Sequence, residues 1–123
     1  SLDAALAIDA GRSAVMQALE QPAPLARPLA SYLAMFRSAG RALNFDRAEK
    51  LMAELQPMLD SLTVNRNGST RSAPLAVWQQ ALERMIEHRD AGKLELPLKS
   101  HGYLLEIVFG IADKLDAKTQ RDV

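Results

Sequence analysis

The sequence contains no cysteine. That absence removes a disulfide framework, a thiolate zinc site, a redox motif and a cysteine nucleophile together. It fits a reducing compartment, and a cytoplasmic location is expected. Charge of one sign is also lacking. Fifteen Lys and Arg balance fifteen Asp and Glu for a net charge of zero, so no overall field draws the molecule to nucleic acid or to an anionic membrane; only a local patch would. Long hydrophobic runs are missing as well. Tyr103 to Phe109 is interrupted by Glu106, far short of the ~20 apolar residues a membrane span needs, so no membrane partner is expected. No basic stretch leads into an apolar core and a small-residue cleavage site near the start, so no signal peptide is expected. With no catalytic, metal or nucleotide motif either, the expectation is a non-enzyme without cofactor or metal.

What is present is the composition of a folded domain. Of 123 residues, 48% are hydrophobic and 24% charged, which suits one core spanning residues 1–123. A chain of this length buries roughly two thirds of the surface it exposes when unfolded, enough to fold without staples. Helical spacing is clearest from Phe45 onward, where Phe45, Ala48, Leu51, Met52, Leu55, Leu59 and Leu62 recur at three and four residues. Asn44 suits the N-cap, and Asp46 and Glu49 put negative charge in the first turn. Pro57 predicts a bend or an end near Gln56. A shorter helix precedes, with Leu29, Tyr32, Leu33 and Phe36 as its stripe, Pro28 in its first turn and Gly40 beyond its end. Gln21-Pro22-Ala23-Pro24 separates it from an Ala-rich N-terminal helix over about residues 2–19, weakened by Gly11. Residues 1–20 would serve as an arm.

The pattern changes over residues 62–72, where β-branched residues surround Asn67-Gly68. Asn-Gly supports the positive φ angles of a type I′ turn, so a short β-hairpin is expected. An isolated hairpin is marginal in water. Lys93 to Lys99, with Leu94, Leu96 and Leu98 alternating, is the candidate third strand, restricted by Pro97 to an edge or an end. A fourth helix is predicted from about Pro74 to Asp90, capped by Ser72, stopped by Gly92 and buried through Leu75, Trp78, Leu82, Met85 and Ile86. A fifth is predicted from near Ser100 to about Lys118, with Leu104, Ile107, Val108, Ile111 and Leu115 inward. Gly110 within it costs about 1 kcal/mol relative to Ala, which a close helix crossing would offset. The expected fold is mainly α: a five-helix orthogonal bundle with a short β-hairpin and room for a small third strand.

Two places carry candidate contacts. The hairpin presents Arg66 and Arg71 with no acid between Leu62 and Ser72, as the wing of a winged-helix DNA binder would. Against that, the helix from Phe45, which would read the groove, exposes Asp46, Glu49, Glu54 and Asp60 to phosphate repulsion. A solvated connector is the favoured reading of the hairpin. The second place is Leu96-Pro97-Leu98-Lys99-Ser100-His101-Gly102-Tyr103, at a helix N-terminus whose free N–H groups suit an anion. Ser100, His101 and Tyr103 would hydrogen-bond a ligand and Lys99 would add charge, with Lys93 close by in sequence. Capping by Ser100 is the simpler explanation. A Ser100-His101 hydrolase lacks the G-x-S-x-G elbow, and His88 lacks the second histidine of H-E-x-x-H. Trp78, Tyr32 and Phe36 fall on helical stripes, so core packing explains them first.

At Arg41-Ala42-Leu43-Asn44-Phe45-Asp46-Arg47-Ala48, and at Leu96 through Leu104, the chain resembles uncharacterised bacterial proteins associated with prophages and mobile elements, over the region from Leu25 to Leu115. The resemblance implies a bacterial, intracellular setting and brings no catalytic residues. The expected function is a non-enzymatic binding or assembly module, through a protein partner or self-association. The alternative is nucleic-acid binding through Arg66, Arg71, Lys93 and Lys99, and a small enzyme around Ser100, His101 and Tyr103 comes third.

Overall fold

A computed structural model describes residues 20–38, 41, 43 and 45–122. These form helix α1 (Ala23–Ala34), helix α2 (Phe45–Ser61), strands β1 (Thr63–Arg66) and β2 (Ser69–Ser72), helix α3 (Leu75–Asp90) and helix α4 (Gly102–Asp122). The architecture is mainly helical with a two-stranded antiparallel hairpin. The five-helix orthogonal bundle is thereby corrected: among the described residues there are four helices. Residues 2–19, expected to supply another, lie outside the described residues, as do the expected cap Asn44 and the expected stop Gly40.

Helix α1 starts earlier than its apolar stripe suggests. It begins at Ala23 after Pro22, carries Pro24 in its first turn, and runs on through Pro28. Proline has no N–H to lose in a first turn and its φ is already helical, so the Pro-rich segment read as a linker is the start of the helix. Pro28 instead sits inside it, where it lacks the N–H that would bond the carbonyl of Pro24. Helix α2 likewise continues past Pro57 to Ser61, whose hydroxyl donates to the Pro57 carbonyl at 2.9 Å. It ends at Leu62, which takes a left-handed φ of +52°. The Ala73 N–H donates to the Leu62 carbonyl at 2.7 Å, closing the base of the hairpin.

The hairpin pairs Thr63 with Ser72, Val64 with Arg71, Asn65 with Thr70 and Arg66 with Ser69. Asn67 and Gly68 both have positive φ, +52° and +79°, as a type I′ turn demands. No third strand joins it among the described residues. The Leu98 N–H donates to the Met35 carbonyl at 2.9 Å, and Pro97 has no N–H to offer a ladder. Residues 93–99 therefore cross the end of α1 as an irregular connector. Helix α3 begins after Pro74 with no side-chain cap, so Ser72 belongs to β2 and not to a cap.

One core joins these elements. Leu25, Leu29, Tyr32 and Leu33 from α1 meet Val77, Trp78, Ala81, Leu82 and Met85 from α3. Helix α2 adds Ala48, Leu51, Met52, Leu55 and Leu59, and the hairpin adds Val64. Helix α4 packs on α3 and on both strands through Leu104, Val108 and Ala112. The hairpin thus leans on a helix, which supplies the support that a two-stranded ribbon lacks alone. Among the described residues no helix is long and apolar enough to cross a membrane.

Candidate functional site

The polar cluster ahead of α4 divides into an inward and an outward half. His101 is the residue before the helix, and its carbonyl accepts the Leu105 N–H at 2.9 Å. Its side chain turns into the core and is only 4% exposed. There Nε2 lies 2.8 Å from the Leu51 carbonyl of α2, and Nδ1 lies 2.6 Å from the Tyr32 hydroxyl of α1. A carbonyl only accepts, so Nε2 carries the proton. In a neutral ring Nδ1 must then accept, and the Tyr32 hydroxyl donates to it. Phe36 closes the cluster edge-on, 5.4 Å from the imidazole centroid and 5.3 Å from the Tyr32 ring.

Electrostatics agree with a neutral ring. Burial pushes the His101 imidazolium down, against the bond to Leu51 and the Glu54 carboxylate, which favour the charged ring, while Arg47 disfavours it. Glu54 sits 3.7 Å from Nε2 and is 44% exposed, so solvent screens its pull. Burial likewise holds the Tyr32 phenol far above its ordinary range, with Glu54 adding to the effect. Both ring nitrogens of His101 are engaged within the core, which leaves neither for Ser100. The Ser100 hydroxyl accepts the Gly102 N–H at 3.3 Å. His101 therefore ties three helices together at one point.

The outward half holds Tyr103, 44% exposed, whose hydroxyl lies 2.9 Å from Nδ1 of His88 on α3. Lys93 and Lys99 are exposed, and the Lys99 carbonyl accepts a hydrogen bond from Arg47. Arg47 also sits over the Phe36 ring, 5.8 Å from its centroid. The hairpin arginines turn toward α4. Arg66 pairs with Glu106 at 2.8 Å, and Arg71 with Asp113 at 3.2 Å and Asp116 at 3.7 Å. The Arg71 guanidinium lies 5.1 Å from the Phe109 centroid. Arg66 also approaches the start of α4: a Cβ built on Gly102 would stand 3.7 Å from its Nη2. The seven residues thus occupy a buried tie (His101), a capping contact (Ser100), a surface pair (Tyr103 with His88), two exposed lysines and two ion-paired arginines.

A surface that sequence reasoning placed inside emerges on the other flank of α4. Ile107 and Ile111 are half-buried and Leu115 is 45% exposed. With Gly110 they line a groove of about 410 Å³ against Gln80 and Arg84 of α3. A Cβ on Gly110 would meet nothing within 4 Å, so the close helix crossing expected there is absent among the described residues. The sequence carried no signal for this surface: the five apolar side chains fall within one ordinary helix face, and only the packing shows that the buried side runs through Leu104, Val108 and Ala112 instead.

The HI_1489_N family model, described as an N-terminal domain, matches residues 1–100. The chain belongs to that family. The HI_1489_N match includes α1, α2, the hairpin and α3, and stops one residue before His101. Leu104, Val108 and Ala112 lie beyond it and still complete the core. No curated protein and no solved structure matches the chain.

Proposed function

We propose that this domain is a non-enzymatic binding and assembly module that acts through a protein partner. One observation carries the reading: the polar groups that looked reactive are satisfied internally, while Ile107, Ile111 and Leu115 line an open groove on α4. Fully burying a large apolar side chain gains roughly 1.5–3 kcal/mol; half-buried Ile107 and Ile111 and the exposed Leu115 forgo part of that gain, which a partner seated on the groove would recover. A reducing cytoplasmic setting is part of the proposal, supported by a chain with no cysteine to oxidise. The winged-helix alternative is weakened by Arg66 and Arg71, whose charges are met by Glu106, Asp113 and Asp116 before any phosphate arrives.

Sizing of a native extract of the source cells tests the reading. The protein is expected to elute well above the position of the same full-length protein purified alone, and elution at that position alone would sink it. Fluorescence anisotropy with random-sequence DNA and RNA at low salt is expected to show no binding. Binding abolished by reversing Arg66 and Arg71 to Glu would replace this proposal with the nucleic-acid one.

A further inference from the structure

We infer that the groove between α3 and α4 receives an acidic amphipathic helix of a partner protein. This rests on the binding-module reading and adds the chemistry of the partner. The floor is apolar, formed by Ile107, Ile111 and Leu115 along one side of α4. Ile107 to Lys118 covers ~16 Å of helix, three turns, which matches the i, i+4, i+8 spacing that a helical ligand presents.

Charge selects the sign of that ligand. Helix α4 is sided: its acids Glu106, Asp113 and Asp116 are drawn to Arg66 and Arg71 on the hairpin. Its bases Lys114 and Lys118 line the groove instead, facing Arg84 of α3. Those three cations have no carboxylate within ion-pair distance among the described residues. The one acid on the groove, Glu106, is already held by Arg66 at 2.8 Å. An occupant with acids flanking its apolar stripe would gain pairing on its rim. A second copy would bring Arg84, Lys114 and Lys118 of each chain into one seam, and like-charge repulsion disfavours it.

Gly110 supplies the third part of the argument. Glycine inside a helix costs about 1 kcal/mol relative to Ala, and nothing in the described chain approaches this one. A partner helix seated on the groove would cross there with its backbone close to α4, which a side chain would prevent.

The test is an NMR titration of the full chain with two stapled helical peptides of about 15 residues. Both carry Leu at i, i+4 and i+8; one has Glu flanks and its twin Lys flanks. The Glu peptide is expected to shift amides 80–84 and 107–118 and to bind at least about ten-fold more tightly than its twin. Reversing both Lys114 and Lys118 to Glu should remove that preference. Equal binding, no binding, or shifts confined to another face would overturn the inference. So would shifts at the same amides that grow with protein concentration alone, the mark of a second copy, or NOEs from Leu2 or Leu6 to Ile111, the mark of the chain's own first residues. A monomeric elution in extract together with Glu-peptide binding would reject the module reading and keep the groove chemistry. A large native complex with no peptide preference would do the reverse.

Discussion

Replacing Tyr32 by Phe removes one oxygen atom from the core and isolates a single hydrogen bond. The hydroxyl lies 2.6 Å from His101 Nδ1, with Tyr32 fully buried and His101 4% exposed. Without it, Nδ1 becomes a buried acceptor that no water reaches, which costs about 1–3 kcal/mol. The aromatic packing on Phe36 is retained, and the void left is the size of one oxygen atom, so the lost hydrogen bond dominates the change. Urea unfolding followed through Trp78, the sole tryptophan and 1% exposed, would read the change. At roughly 4 °C per kcal/mol for a domain of this size, the same loss lowers Tm by about 4–12 °C. The pH arm follows from the sign of the His101 shift. Its folded pKa is depressed, so from about 6.5 downward the unfolded chain binds more protons than the folded one. Stability is therefore complete above about pH 6.5 and is lost as pH falls toward the folded value, with a slope of at most ~1.4 kcal/mol per pH unit from this residue. His101→Phe should remove that slope and, by orphaning both the Leu51 carbonyl and the Tyr32 hydroxyl, cost more than Tyr32→Phe. A Tyr32→Phe loss under about 0.5 kcal/mol, or an unchanged pH slope in His101→Phe, would refute the assignment of His101 as a neutral structural tie.

Three further perturbations probe α4. Gly110→Ala should stabilise the isolated domain by about 1 kcal/mol, seen as a higher urea midpoint at unchanged m-value, because a Cβ there meets nothing within 4 Å. Leu104→Ala should cost about 2–5 kcal/mol, since Leu104 is fully buried although it lies beyond the matched family region. Arg71→Ala should cost about 1–2 kcal/mol, of which the share from the exposed pairs with Asp113 and Asp116 shrinks with added salt while the share from the Phe109 contact persists.

Local signals were the most legible part of the sequence. Asn67-Gly68 set the hairpin turn correctly because the demand for two positive φ angles is met within two residues. The stripe from Ala48 to Leu59 on α2 and that of α3 around Trp78 were legible because each buries one uninterrupted face. The start of α1 was misjudged because proline signals a linker and a helix start equally well. The alternating leucines 94, 96 and 98 imitated a strand; their destination depended on the Met35 carbonyl, some sixty residues earlier. No local pattern encodes such a partner.

The same limit explains the site. His101 stood in the most polar cluster of the chain, which made it look like a ligand group. Tyr32, on an apolar stripe, carried the complementary clue, because a buried phenol needs a hydrogen-bond partner. Only the packing of α1 against the start of α4 joins the two across 69 positions. Helix α4 shows the converse. Its acids and bases alternate along the sequence with no visible bias, yet folding brings Arg66 and Arg71 to one flank and collects Glu106, Asp113 and Asp116 there. Lys114 and Lys118 are left on the other flank beside Ile111 and Leu115. A neutral composition thus becomes a cationic, apolar groove through the position of two hairpin arginines. Reversing those arginines would leave the three acids unpaired, and the groove would then border a negative flank and lose its preference for an acidic partner.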